Sequence, residues 1–200
     1  MSENETRERS TWKRLLFGAL AYQKASRKIA YTALITGFVV VANMFFEFKL
    51  AETQFSLSLF VSAIAGILIG PVLGFAACFL GDLVGFLYNS GGFAYLPWIG
   101  LSLGVTAFLS GLIVGGLDYK KGWFLYVKLS LVCVLTFFIC TIAINTTAFW
   151  LLYSKVSYGE YLISRLFVQG QIWNSLVNYV LLFIAVPVLG AIKPLRLYIR

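Results

Sequence analysis

The chain has 200 residues, of which 60% are hydrophobic and only 12% charged, with a mean hydropathy of +0.86 and a net charge of +8. That balance excludes an ordinary soluble domain, where about 25% of residues are charged, and describes a chain whose solvent is mostly lipid. Histidine is absent, removing the commonest general base and metal ligand, and no GxxxxGK[ST] stretch is present to cradle a nucleotide.

Residues 1–28 read as a cytosolic tail and basic interfacial segment. Arg7, Arg9, Lys13, Arg14, Lys24, Arg27 and Lys28 flank an apolar patch of Trp12, Leu15, Leu16 and Phe17 suited to anionic headgroups. A spanning helix needs about 20 mostly apolar residues, and stretches at or near that length fall at 29–46, 55–70, 71–88, 97–117, 123–153 and 166–190. The fold class expected is therefore all-α integral membrane: a six-transmembrane-helix bundle forming one domain over 29–192, followed by a basic tail, 193–200. Gly70-Pro71 joins the second and third stretches in a tight hairpin, and the fifth is long enough to project beyond the bilayer. Lys120, Lys121, Lys128, Lys193, Arg196 and Arg200 fall on the side of the basic N-terminus, and only Lys49, Lys155 and Arg165 on the other. The N- and C-termini are therefore expected to be cytosolic, with loops 47–54, 89–96 and 154–165 outside.

Four constellations stand out. Ala33 and Gly37, then Gly66, Gly70 and Gly74, and then Ala77, Gly81 and Gly85 repeat every four residues, a spacing that lets helices approach closely within the bundle or against another membrane subunit. Asp82 lies about 16 Å along its helix, where an ionised carboxylate needs a partner. Arg165 is the expected one, with Asn145 or backbone donors as alternatives, and both a structural role and a ligand contact stay open. A third group gathers in the outer half: Asn43, Gln54, Trp98, Asn145, Thr146, Thr147, Trp150, Tyr153, Arg165, Gln171, Trp173 and Asn174. It reads either as an aromatic belt or as a pocket for a planar heteroaromatic ligand. Finally, Gly100-Leu-Ser102-Leu-Gly104 matches the GxSxG nucleophile pattern, but it sits in an apolar helix of a chain with no histidine and is set aside. Cys78, Cys133 and Cys140 lie in apolar runs and read as small hydrophobes, leaving no expected metal site.

AGILIGPVLG at 65–74, GDLVGFLYNSGGFAYLPW at 81–98, LSGLIVGGL at 109–117 and INTTAFWLLY at 144–153 followed by Arg165 together resemble the substrate-binding S components of energy-coupling factor (ECF) transporters, nearest the folate-type branch. The resemblance implies a six-helix membrane protein, not an enzyme, that captures a vitamin from outside in a prokaryotic cytoplasmic membrane. The chain would bind no cofactor, since ATP is used by partner subunits. Its partners would be a T transmembrane coupling subunit, two ABC ATPase subunits, the vitamin and membrane lipids, with no nucleic acid. The implied substrate-binding residues are Asn43, Gln54, Phe93, Tyr95, Trp98, Asn145, Trp150 and Arg165, and the implied coupling residues Ala33, Gly37, Ala77 and Gly81. Asn43 and Gln54 stand where folate-type members typically carry arginines, and Val61 stands in place of a proline. A dicarboxylate prefers guanidinium partners, so their loss points to a flat ligand with less negative charge. Folate stays open through Arg165 and Lys49, and the neutral benzimidazole nucleoside α-ribazole fits at least as well. Two other classes compete: a self-contained secondary transporter, thinly supported by one intramembrane carboxylate and no internal repeat, and a non-catalytic scaffold.

Overall fold

The structure, a computed structural model, describes residues 12–45, 47–50, 53–88, 94–115 and 122–191, with the side chains of residues 19, 47–50 and 53–55 left undescribed. Long apolar stretches form helix α1 (Ala25–Phe45), and then α2 (Ser58–Ile69) and α3 (Pro71–Tyr88), with a more polar β-hairpin of β1 (Glu47–Leu50) and β2 (Thr53–Ser56) between the first two. These are followed by α4 (Pro97–Gly115), α5 (Gly122–Tyr153), the short α6 (Tyr158–Ile163) and α7 (Gln171–Ala191). Proline opens α3 and α4, where its missing N–H costs nothing and its fixed φ suits a first turn. Gly70 takes φ +89° to turn the chain between α2 and α3.

Among the described residues five helices, α1, α3, α4, α5 and α7, are long and apolar enough to cross a membrane, and α2 is a shorter apolar helix. At 12 residues α2 is only about 18 Å long. Its position explains how so short a segment persists. Val61 and Ala65 pack with Val39 and Ala42 of α1, Cys78 of α3, and Leu103 and Ala107 of α4. Ala63 and Ile67 pack with Val114, Leu129 and Val132, and with Leu182 and Val186 of α7. The helix thus stands in the middle of the bundle, where neighbours rather than lipid satisfy it. Glycines permit that crowding: a Cβ on Gly74 would stand 2.7 Å from Gly66 Cα, and one on Gly81 2.7 Å from Val39 Cγ1. By contrast α1 is an edge helix that buries only Val39 and Ala42.

Four features depart from the sequence reading. The 47–54 loop is a hairpin, with Lys49 opposite Gln54 and Phe48 opposite Phe55. Its strands are four residues each, too short to leave a period-two signal beside long apolar runs. The basic segment has a buried end: Leu20 packs with Ile69 and Ala77, and Lys28 Nζ donates to the Ala21 carbonyl at 3.1 Å. The last helix does not begin at 166, directly after Arg165. Arg165 lies on a π-helical turn, Ser164–Val168, that extends α6, and Gly170 (φ +69°) breaks the chain before α7 starts at Gln171. Lastly, α5 is π-helical over Phe137–Thr146, where Thr146 Oγ1 donates to the Thr141 carbonyl and Thr147 Oγ1 to that of Ile142, each five residues back.

Candidate ligand-binding site

Trp98 and Ser102 lie one turn apart on α4, and Asn145 and Phe149 one turn apart on α5, so each pair shares a helix face. The two faces meet. Asn145 Nδ2 donates to Ser102 Oγ at 2.9 Å, and the Trp98 and Phe149 rings stand edge to face at 5.9 Å. Arg165 completes the group, with its guanidinium carbon 4.2 Å from the Phe149 centroid and Nη1 donating to Tyr161 Oη at 3.3 Å. Winding matters here, because Asn145 and Arg165 both sit in π-helical stretches, which re-aim side chains relative to an α-helix and recur at functional sites.

Within this cluster Trp98 Nε1, Asn145 Oδ1 and Arg165 Nε are buried with no hydrogen-bond partner. Each such atom costs about 1–3 kcal/mol, so native proteins rarely keep one without a reason. The only other atoms in this state among the described residues are the hydroxyls of Ser62 and Ser175. Two N–H donors and one carbonyl acceptor, set about an aromatic ring, suit a flat heterocycle with complementary edges.

Asp82 is placed elsewhere, and its expected pairing with Arg165 is corrected. The carboxylate accepts from Tyr95 Oη at 3.2 Å and from Asn43 Nδ2 at 3.5 Å, while Arg165 is taken up by Phe149 and Tyr161. Asn145, the alternative partner, is turned to Ser102. Tyr95, just before α4, and Asn43, near the end of α1, thus reach the carboxylate for which Arg165 was expected. Burial, and then the neighbouring Asp82, push the Tyr95 hydroxyl up to about 12, so at neutral pH it remains a donor. Asn43 also accepts from Ser58 Oγ at 2.7 Å, tying α1 to the start of α2.

A third cluster clasps the hairpin to α7. Asn178 accepts from Phe60 N at 2.9 Å and donates to the Ser56 and Asn174 carbonyls at 2.8 and 2.7 Å, and Asn174 Oδ1 accepts from Ser56 N at 3.0 Å.

The remaining expected residues scatter. Trp150 braces the turn after α5, donating to the Val156 carbonyl at 2.9 Å with its ring against Tyr158. Gln54 lies on β2 with its side chain undescribed, and Phe93 lies outside the described residues. Ala33 and Gly37 are exposed on α1, whereas Ala77 and Gly81 are buried by packing within the chain. Sequence reasoning missed Ser102, Phe149, Tyr161, Ser58 and Asn178. The four-residue spacing of Trp98 with Ser102, Asn145 with Phe149 and Asn174 with Asn178 was the signal that could have found three of them.

Long apolar helices suited to a membrane thus surround a buried short one, and the unpartnered polar atoms beside Trp98 and Phe149 make that cluster the candidate ligand site. Residues 23–194 match the family model of the ECF-type riboflavin transporter, S component, and the chain belongs to that family. It is therefore a transporter component and not an enzyme. The crystal structure of FolT bound with folic acid is similar in fold, with a TM-score of 0.63 at 18% identity, over 80% of this chain and 92% of that one. No curated protein sequence matches. The resemblance to ECF S components is borne out. FolT supplies the folate-type likeness in fold, while the matching family model carries riboflavin in its name.

Proposed function

We propose that this chain captures a flat heteroaromatic vitamin from outside and delivers it through an ECF complex of a T coupling subunit and two ABC ATPases, which use the ATP. Both termini face the cytosol of a prokaryotic cell, and the cluster around Phe149 is the vitamin site. The observation that carries this reading is the set of three unpartnered atoms, Trp98 Nε1, Asn145 Oδ1 and Arg165 Nε, gathered beside the rings of Trp98 and Phe149. They favour an uncharged ring system. Riboflavin, named by the family model, has a ring edge of two carbonyl oxygens flanking an N–H, the complement of two donors and one acceptor. Folic acid carries two carboxylates, and Arg165, the cation in this cluster, already spends its face on Phe149 and Nη1 on Tyr161. Stacking against aromatic rings quenches flavin emission, so titrating riboflavin with purified protein gives a direct test, with α-ribazole and folic acid as competitors. Saturable quenching displaced poorly by folic acid is expected. Displacement of riboflavin by a stoichiometric amount of folic acid would reverse the order, and no quenching at all would reject riboflavin.

Docking on the coupling subunit is assigned to the exposed face of α1 bearing Ala33 and Gly37. A Cβ on Gly37 meets nothing within 4 Å, so Gly37→Leu should leave folding and riboflavin binding unchanged. Uptake by cells carrying the whole complex should fall about tenfold or more, because a bulky side chain blocks close helix approach. Unimpaired uptake would remove this face from the docking surface.

A further inference from the structure

We propose that Asp82 is a positioning residue for the vitamin site, acting through Tyr95 to fix the start of α4 and therefore the placement of Trp98. This rests on the functional reading above and adds to it a residue outside the cluster that touches the vitamin.

The entry to α4 is poorly held by its own sequence. Pro97 has no N–H, Leu96 at the N-cap supplies no side-chain hydrogen bond, and the first turn is closed by Ile99 N donating to the Leu96 carbonyl at 3.0 Å. Trp98 stands in that turn. The residue before the N-cap is Tyr95, whose hydroxyl reaches Asp82 Oδ2 at 3.2 Å while its ring lies 5.2 Å from that of Phe86. Both of these anchors stand on α3. A charge-assisted bond is stronger than a neutral one, which gives an intramembrane carboxylate a use that a neutral side chain would serve less well.

Local geometry keeps the contact open. Gly100 of α4 faces it so closely that a Cβ there would stand 2.7 Å from Tyr95 Oη and 2.9 Å from Asp82 Oδ2. The other carboxylate oxygen accepts from Asn43, which accepts from Ser58, whose N–H donates to Ser56 Oγ; Ser56 N donates to Asn174. Asp82 therefore stands between two anchored structures: the entry to α4 on one side, and the exit of the hairpin, fastened to α7, on the other.

The test uses the full chain in detergent, comparing Asp82→Asn, Tyr95→Phe and the double variant. Hydrogen exchange over residues 94–104 is measured without ligand, alongside the dissociation constant for riboflavin. Each single variant is expected to speed exchange in that segment and weaken binding about tenfold, as for loss of one charge-assisted bond. The double variant should lose no more than either single one, because both remove the same link. Gly100→Ala, which leaves both partners in place but occupies the space between them, should reproduce the effect and serves if Asp82→Asn fails to fold. Unchanged exchange over 94–104, or losses that add in the double variant, would overturn the proposal. If the wild-type chain does not bind riboflavin, the ligand assignment fails, and the exchange measurement alone decides the role of Asp82.

Discussion

Trp98→Phe is expected to weaken vitamin binding about 10- to 100-fold while leaving the thermal stability of the ligand-free protein unchanged or slightly higher. The phenyl ring keeps the edge-to-face contact with Phe149 but removes Nε1–H, a buried donor that has no partner without ligand. An orphaned donor costs about 1–3 kcal/mol, and ligand binding recovers that amount, which corresponds to this range in affinity. Arg165→Lys should act in the same direction for a different reason. An ammonium keeps the charge but loses the planar face on Phe149 and the Nε donor, so affinity falls although net charge does not. Paired measurements of melting temperature and riboflavin dissociation constant check both. A variant that loses stability and affinity in parallel would assign its residue to packing instead.

Gly66→Ala carries the largest expected effect on stability. Its Cβ would fall on the Ala107 carbonyl and stand 2.8 Å from Ala107 Cα. The obstacle is backbone, which cannot rotate away, so α2 and α4 must separate. Overpacking ordinarily costs about 1–3 kcal/mol, and a Cβ driven into backbone lies at or above the upper end. Because α2 joins the two main packing clusters, its displacement reaches Val39 on one side and Val186 on the other. Gly37→Ala is the matched control: the same substitution, in a helix, with nothing within 4 Å, should be neutral or stabilising by up to about 1 kcal/mol. Thermal unfolding in detergent distinguishes the two, with Gly66→Ala expected to lose most of its monodisperse protein.

What the sequence made legible was whatever depends on solvent preference and local chemistry. Hydropathy located the apolar helices to within a few residues, and Gly70-Pro71 announced the tight joint before α3. Trp98, Asn145 and Arg165 were legible as candidates because polar and aromatic side chains in apolar helices need a reason to be there, and the structure brings the three together around Phe149. Features that depend on partners distant in the chain were not legible. Ser102 looked like part of a spurious nucleophile motif, and its role came from Asn145, 43 positions away. Asp82 was matched to Arg165 by sign alone, yet Tyr95 and Asn43 were closer and Arg165 had an aromatic face to cover. The π-helical turns were hidden as well, since they change winding without changing composition, and one of them lies where the last helix was expected to begin.

The most direct test is the indole N–H spectrum of the protein labelled with 15N at its five tryptophans, recorded with and without riboflavin. Trp98→Phe assigns the Trp98 signal by its disappearance. Here the prediction is that this resonance moves downfield on saturation, as a donor without a partner gains one, while Trp150, already bonded to the Val156 carbonyl, barely changes. Saturation by riboflavin with the Trp98 resonance unmoved would place the vitamin elsewhere and contradict the assignment of the site.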